Sequence, residues 1–304
     1  MREMDIWTKL KHQNIVELYD HNILPVPYFE MEKCDLCLET LSKPMDLEKA
    51  SWIIFNIAEG LKYAHDKGII HRDIKPPNIL FKKGIPKISD WGLSKLTSES
   101  KTSTMSSAAL SIKYAAPEQI SKKFGDKDGQ TDIWQIGAVF YELLTGKLPF
   151  EGDDNTEILF KITSEEYVPA SKYNQEAIIV DDIIKKCLQK EQPKRYKNID
   201  ELQIDLAKVL NIEYTTKINA CKSNNEQSKS AYFCGELLLV KMKIGDKQDA
   251  YKHALDMLKY AKEDIKNELK NLCKELEERM ENNLDINEKL IQKADIIMHK
   301  VRSV

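Results

Sequence analysis

Apolar positions along this chain change their period, and each period predicts a different element. Ile15-Val16-Glu17-Leu18-Tyr19 and Tyr28-Phe29-Glu30-Met31-Glu32 are short runs rich in β-branched and aromatic residues on either side of Pro25 and Pro27, which predicts two strands joined by a turn. From Asp46 to Asp66 the spacing becomes three and four. Ala50, Ile53, Ile57, Leu61 and Ala64 share one face, so a helix is expected with Asp46 as N-cap and Gly68 as its stop. Ala231 to Ile244 predicts a further helix ended by Gly245. Ala250, Ala254, Leu258, Ala261, Ile265, Leu269, Leu272, Leu276 and Met280 then step by 4, 4, 3, 4, 4, 3, 4 and 4. That eleven-residue period predicts one nearly straight helix, on the order of 50 Å long. Ile286, Leu290, Ala294, Ile297 and Val301 repeat the 4, 4, 3, 4 step. So long an apolar seam has to be covered, by neighbouring helices of a hairpin or small bundle or by a partner or second copy of the chain.

Punctuation divides the chain. Nine of the ten prolines lie between Pro25 and Pro169, and none follows Pro193. The polar stretch 211–230, including Thr-Thr-Lys-Ile-Asn-Ala-Cys-Lys-Ser-Asn-Asn-Glu-Gln-Ser-Lys-Ser, reads as a linker. The expected organisation is therefore a mixed α+β domain over 1–210, a linker over 211–230 and an all-α domain over 231–304.

Composition narrows the function classes. The 304 residues are 42% hydrophobic, enough for one large domain plus an appendage. With 46 basic and 49 acidic residues the formal net charge is -3, so no single-sign field points to nucleic acid. The longest aliphatic run, Leu237 to Val240, is far short of a membrane span, and MREMDIWTKL at the N-terminus has no signal-peptide apolar stretch. A cytoplasmic protein with no membrane contact is expected. Cys34 and Cys37 form one CxxC with no second pair at zinc-ribbon spacing, so the six cysteines are expected to be reduced and to bind no metal.

The chemistry-bearing residues come in a fixed order. Ile69-Ile70-His71-Arg72-Asp73-Ile74-Lys75-Pro76-Pro77-Asn78-Ile79-Leu80 is followed twelve residues after Asn78 by Asp90-Trp91-Gly92, then by Tyr114-Ala115-Ala116-Pro117-Glu118 and Asp132-Ile133-Trp134-Gln135-Ile136-Gly137. This order resembles the eukaryotic-type Ser/Thr protein kinase catalytic domain, with its catalytic loop, metal-binding Asp turn and Ala-Pro-Glu motif. The resemblance covers about residues 1–210. It implies a kinase-like α+β fold, a mainly helical C-lobe with a partial N-lobe of one helix and two to three strands.

The resemblance also implies roles. Phosphoryl transfer needs positioning and charge neutralisation more than covalent help. Asp73 would take or orient the proton of a substrate hydroxyl, Lys75 would contact the transferring phosphate, and Asn78 and Asp90 would hold Mg2+ on the phosphates of ATP. Met31 would close the back of the adenine pocket, Glu32 and Cys34 would offer backbone groups to the base, and Leu80 would pack beneath it. Glu118 would pair with Arg195, and Asp132 would cap the backbone of the catalytic loop. Trp91, in place of the usual Phe, would join a column with Trp7, Leu18 and His71. Ser111, three before Tyr114, favours protein Ser/Thr substrates. Eight Ser or Thr fill the eleven positions Thr97 to Ser107, read either as a solvated loop or as a phosphorylated activation loop facing Arg72.

One departure bears on activity. Glu3 stands where the family's helix glutamate belongs, but the 304 residues contain neither a GxGxxG loop nor a Val-Ala-Ile-Lys strand. The expectation is an N-terminally truncated kinase domain in which Glu3 has no lysine partner and transfer is weak. The alternative class is a pseudokinase-like scaffold that binds partners through the lobe and the C-terminal helices.

Overall fold

The computed structural model of the chain describes residues 4–22, 26, 28–91 and 112–302 and divides into two units, 1–203 and 204–304. In the first unit, helix α1 (Met4–Trp7) leads to the ribbon β1 (Leu18–Asn22) and β2 (Tyr28–Met31), paired antiparallel with Leu18 opposite Met31. Ile15 and Val16 do not extend this ribbon as expected. Ile15 instead forms a parallel bridge with Ile88, and Val16 N–H donates to the Ile88 carbonyl at 2.9 Å. A three-stranded antiparallel sheet follows, β3 (Leu36–Cys37), β4 (Ile79–Lys82) and β5 (Ile85–Ile88), in that order.

Helix α2 (Leu47–His65) begins where the sequence places it. The Asp46 side chain accepts from Lys49 N–H, and Gly68 lies just past its end at φ +73°. Its buried face includes Ile53, Ile57 and Leu61, and it packs against α4 (Gly129–Thr145). Apolar residues run all round α4, and nearly every one is buried, which makes it the central rod of the unit. Gly60 on α2 has a steric reason. A Cβ there would lie 2.8 Å from the Asn14 carbonyl oxygen, so only glycine lets the strand-forming segment 14–16 approach this closely. Helices α3 (Pro117–Ile120), α5 (Asn155–Ser164) and α6 (Asp181–Cys187) complete the lobe.

The expected linker is a correction. Helix α7 runs unbroken over Ile199–Ser223. Leu206, Leu210, Tyr214, Ile218 and Cys221 are buried along it, so the segment is polar in composition but carries an apolar stripe at helical spacing. Only 224–226 separate it from α8 (Gln227–Lys243).

The single long helix is also corrected. The seam from Ala250 to Met280 lies on two helices, α9 (Lys247–Tyr260) and α10 (Glu263–Glu281), with Ala261 and Lys262 extended between them at ψ 148° and 156°. The last helix is α11 (Glu288–Arg302). Contacts run α8–α9, α9–α10, α10–α11 and α11–α8, closing a ring of four in the second unit. The seam residues Ala250, Ala254, Ile265, Leu269, Leu272 and Leu276 are buried within it. All six cysteines are free, and among the described residues no helix is long and apolar enough to cross a membrane.

Candidate active site

The loop between α2 and β4 is built by hydrogen bonds from α4. Asp132, fully buried, accepts from His71 N–H at 3.0 Å and Arg72 N–H at 2.6 Å, and from the His65 ring at 2.7 Å. Burial alone would raise its carboxyl. The His65 contact and the backbone N–H of Arg72 outweigh that and hold it below the usual carboxylate value. Clamping two successive N–H groups on one carboxylate sets Arg72 at φ +67°, a conformation that non-glycine residues adopt only when their surroundings impose it. Gln135, one turn further along α4, accepts from Ile74 N–H at 2.8 Å and donates to the Arg72 carbonyl at 3.1 Å. Sequence reading assigned Gln135 no role. The signal was an amide within the apolar run from Ile133 to Phe140.

These supports bring Asp73, Lys75 and Asn78 together. Lys75 Nζ lies 2.9 Å from Asp73 Oδ2. Asn78 Nδ2 donates to the Asp73 carbonyl at 2.8 Å and to Asp73 Oδ2 at 3.1 Å. Both amide protons are thus committed to Asp73, which leaves Asn78 Oδ1 as the acceptor for a cation. Pro76 and Pro77 open a single 3-10 turn through Asn78, and Asn78 N–H closes it on the Lys75 carbonyl at 3.0 Å. Ser89 fastens this turn to the end of β5. Its N–H and hydroxyl both donate to the Asn78 carbonyl, while its own carbonyl accepts from His71 Nε2 at 2.8 Å. Asp73 N–H faces His71 Nδ1 at 3.2 Å, so the imidazole carries its proton on Nε2.

Asp90 follows Ser89 in a left-handed conformation, φ +62°. Burial pushes its carboxyl above the ordinary value. The Asp73 charge adds to that rise, while His71 and Lys75 oppose it. A carboxylate raised by burial and by a like charge is a group that a bound cation would relieve. An amide oxygen from Asn78 and a carboxylate from Asp90 are donors of the kind that would suit a hard cation such as Mg2+. Trp91 is buried beside them. Its ring meets the His71 ring edge-on at 4.7 Å, and its indole N–H donates to the Ile88 carbonyl at 3.1 Å. Trp7 and Leu18 are buried as well.

The residues expected around a nucleotide base are placed less uniformly. Met31 ends β2 and is 36% exposed, and Leu80 on β4 is half-buried between Cys37 of β3 and Lys87 of β5. Cys34 is half-buried, and its thiol points to the Glu32 carbonyl at 3.8 Å. Glu32 holds the surprise. Its side chain is buried between Lys82, at 2.8 Å, and Lys87, at 2.9 Å, and accepts from Glu17 N–H at 3.3 Å. Burial would raise this carboxyl, but the two lysines and the amide hold it below its usual value. The connection after β2 is thereby tied to the β4–β5 hairpin. Asp35 adds to this tie, donating its N–H to the Phe81 carbonyl at 2.7 Å and accepting from Lys83 N–H at 2.7 Å. Glu3, Gly92, Thr97 to Ser107 and Ser111 lie outside the described residues.

Below the loop, Glu118 and Arg195 form a two-pronged ion pair with both prongs at 2.8 Å and both side chains wholly buried. Thr131 hydroxyl donates to the same carboxylate at 2.8 Å.

A family model described as Protein kinase domain matches residues 1–214. The chain is 31% identical over 221 residues to the serine/threonine-protein kinase PknB of Mycobacterium leprae, covering 68% of this chain and 35% of that protein. It is 32% identical over 226 residues to PknB of Mycobacterium tuberculosis, with coverage of 70% and 36%. A probable serine/threonine-protein kinase of Clostridium acetobutylicum is 30% identical over 241 residues, with coverage of 75% and 36%. The chain thus spans about a third of the length of these relatives.

Proposed function

This chain belongs to the protein kinase family, and on that premise we propose that it phosphorylates Ser and Thr hydroxyls of protein substrates, using ATP with Mg2+. The observation that carries this reading is the cluster in which Asp73 meets both Lys75, at 2.9 Å, and Asn78, at 2.8 and 3.1 Å, with the half-buried Asp90 following at the end of β5. Bound ATP supplies the phosphoryl group and Mg2+ offsets the charge that develops on it. Asp73 orients a substrate hydroxyl and accepts its proton. Lys75, already on Asp73 Oδ2, places a positive charge where the transferring oxygens pass. Asn78 Oδ1 and the Asp90 carboxylate are the oxygens that hold the cation. Asp132, Gln135 and Ser89 act through the loop backbone, keeping Asp73 and Asn78 in register.

Titration of the full protein with ATP, with and without Mg2+, tests the assignment, alongside phosphate transfer to a Ser/Thr substrate. Asp90→Asn should weaken Mg2+-dependent nucleotide binding by about tenfold or more, since even residues that only support a metal ligand cost that much. Asp73→Asn should leave binding within about twofold and lower transfer by a factor of about 100 to 10,000, the usual worth of a positioned base. Binding that ignores both Mg2+ and Asp90→Asn would refute the metal assignment. Unchanged transfer in Asp73→Asn would refute the base.

A further inference from the structure

The four-helix ring of the second unit has a cavity of about 600 Å³ where the first turn of α8, the α9–α10 corner and the last turn of α11 meet. That size is within the range of small-molecule sites. Two small residues, Ala231 of α8 and Ala261 at the corner, line it together with Tyr232, Tyr260, Ile265 and Val301. Water against such walls gains few hydrogen bonds, so the cavity favours an apolar body.

Its charges are one-sided. Lys229, Lys262 and Arg302 line it with no carboxylate among the lining residues, in a chain where acids outnumber bases 49 to 46. Lys229 is offset by Glu226 at 2.9 Å, and Arg302 is anchored on the buried Glu236 at 2.6 Å. Lys262 is exposed and makes no ion pair among the described residues. Burial, with Glu236, pushes the Tyr232 hydroxyl up to about 12, so it stays a neutral donor. Both helices that begin at the cavity, α8 after Glu226 and α10 after Lys262, lack a side-chain cap, whereas α9 has Asp246. Their leading N–H groups add positive potential to the lysines, which Glu263 and Asp264 in the first turn of α10 offset in part.

We propose that this cavity binds a small amphipathic anion, an apolar body seated between the tyrosines with a single carboxylate or phosphate head at Lys262. A bare anion would give up hydration against the apolar walls, and an uncharged apolar molecule would forgo the attraction of Lys262.

Calorimetric titration of the full chain with sodium octanoate tests this, with 1-octanol as the uncharged probe and phosphatidylglycerol vesicles as the membrane probe. Octanoate should bind saturably at one site and more tightly than octanol. Lys262→Glu should weaken octanoate by about tenfold or more, the worth of one charge-assisted hydrogen bond, and leave octanol unchanged. Lys262→Gln, which removes the charge with little change of shape, should fall between. Because Lys262 is exposed, both variants should retain the parent far-UV circular dichroism. Absence of saturable octanoate binding, equal affinity in Lys262→Glu, or a response to vesicles alone would each overturn the proposal.

Discussion

Glu118→Gln removes one charge from an ion pair that has no access to water. Arg195 would keep three carbonyl acceptors, those of Gln189 at 2.7 Å, Gln130 at 3.0 Å and Lys190 at 3.3 Å. It would lose the two 2.8 Å contacts to the carboxylate, and the new amide would face the guanidinium with at most one oxygen. Removing one partner of a buried pair costs about 3–5 kcal/mol, because the other charge stays desolvated. For a unit of this size each kcal/mol moves the melting midpoint by about 2–4 °C, so a loss on the order of 10 °C is expected. The assay is convenient, since Trp7, Trp52, Trp91 and Trp134 all fall within 1–203 and their fluorescence reports that unit. The double variant Glu118→Leu/Arg195→Met, which removes both charges, should be less destabilised than Glu118→Gln. The effect should also depend on pH. Burial would raise the Glu118 carboxyl, but Arg195 outweighs it and the net shift is downward from 4.5. A depressed folded value gives stability that is present above the unfolded value and lost as pH falls through the folded one. The difference between wild type and Glu118→Gln should therefore shrink below about pH 4.5. A loss under about 1 kcal/mol near neutral pH, the worth of an exposed pair, would refute the argument.

Two further substitutions test the packing. Gly60→Ala would set a methyl 2.8 Å from the Asn14 carbonyl oxygen, and because that atom is backbone the strain should cost about 1–3 kcal/mol by Trp fluorescence in urea; a neutral result would mean that α2 can move away. Leu269→Ala opens a cavity at a fully buried seam position and should cost about 2–5 kcal/mol, read by far-UV circular dichroism in denaturant; an unchanged transition would show that Leu269 contributes no core packing.

The meeting of Asp73, Lys75 and Asn78 was legible because the three are close in sequence and chemically constrained. Asp73, Lys75 and Asn78 span six positions, and a loop that places a carboxylate, an ammonium and an amide on one point needs those residue types. The Glu118–Arg195 pair and the capping by Asp132 were legible only through family resemblance, since 77 and 61 residues separate the partners. The buried side chain of Glu32 was not legible. The motif placed a backbone carbonyl there, and nothing local shows that Lys82 and Lys87, fifty or more positions away, close on its carboxylate. The helix through 211–223 was hidden by composition. Tyr214, Ile218 and Cys221 keep a helical stripe, but Thr-Thr-Lys and the asparagines around them dilute it below what a linker reading tolerates.

The corner at Ala261 shows what a hydrophobic period can and cannot report. The 4, 4, 3 step from Ala250 to Met280 is unbroken, yet the axis turns between Tyr260 and Glu263. The count survives because α9 and α10 present their apolar faces to one shared core, and Ala261, itself buried, occupies the corner as a small seam residue. Period therefore measures which residues face the core and is silent on whether the helix axis is continuous. The break has no glycine or proline to announce it, so its cause is tertiary. A straight helix through this seam would extend well beyond α8, with 17 residues, and α11, with 15, whereas two shorter helices bring every seam segment against a neighbour. A weaker signal does mark the position. Lys259 sits in the last turn of α9, and Glu263 and Asp264 open α10, the charge order that complements one helix end and the next helix start. Basic residues followed at once by acidic ones, inside an otherwise regular period, point to two helices where the apolar pattern alone counts one.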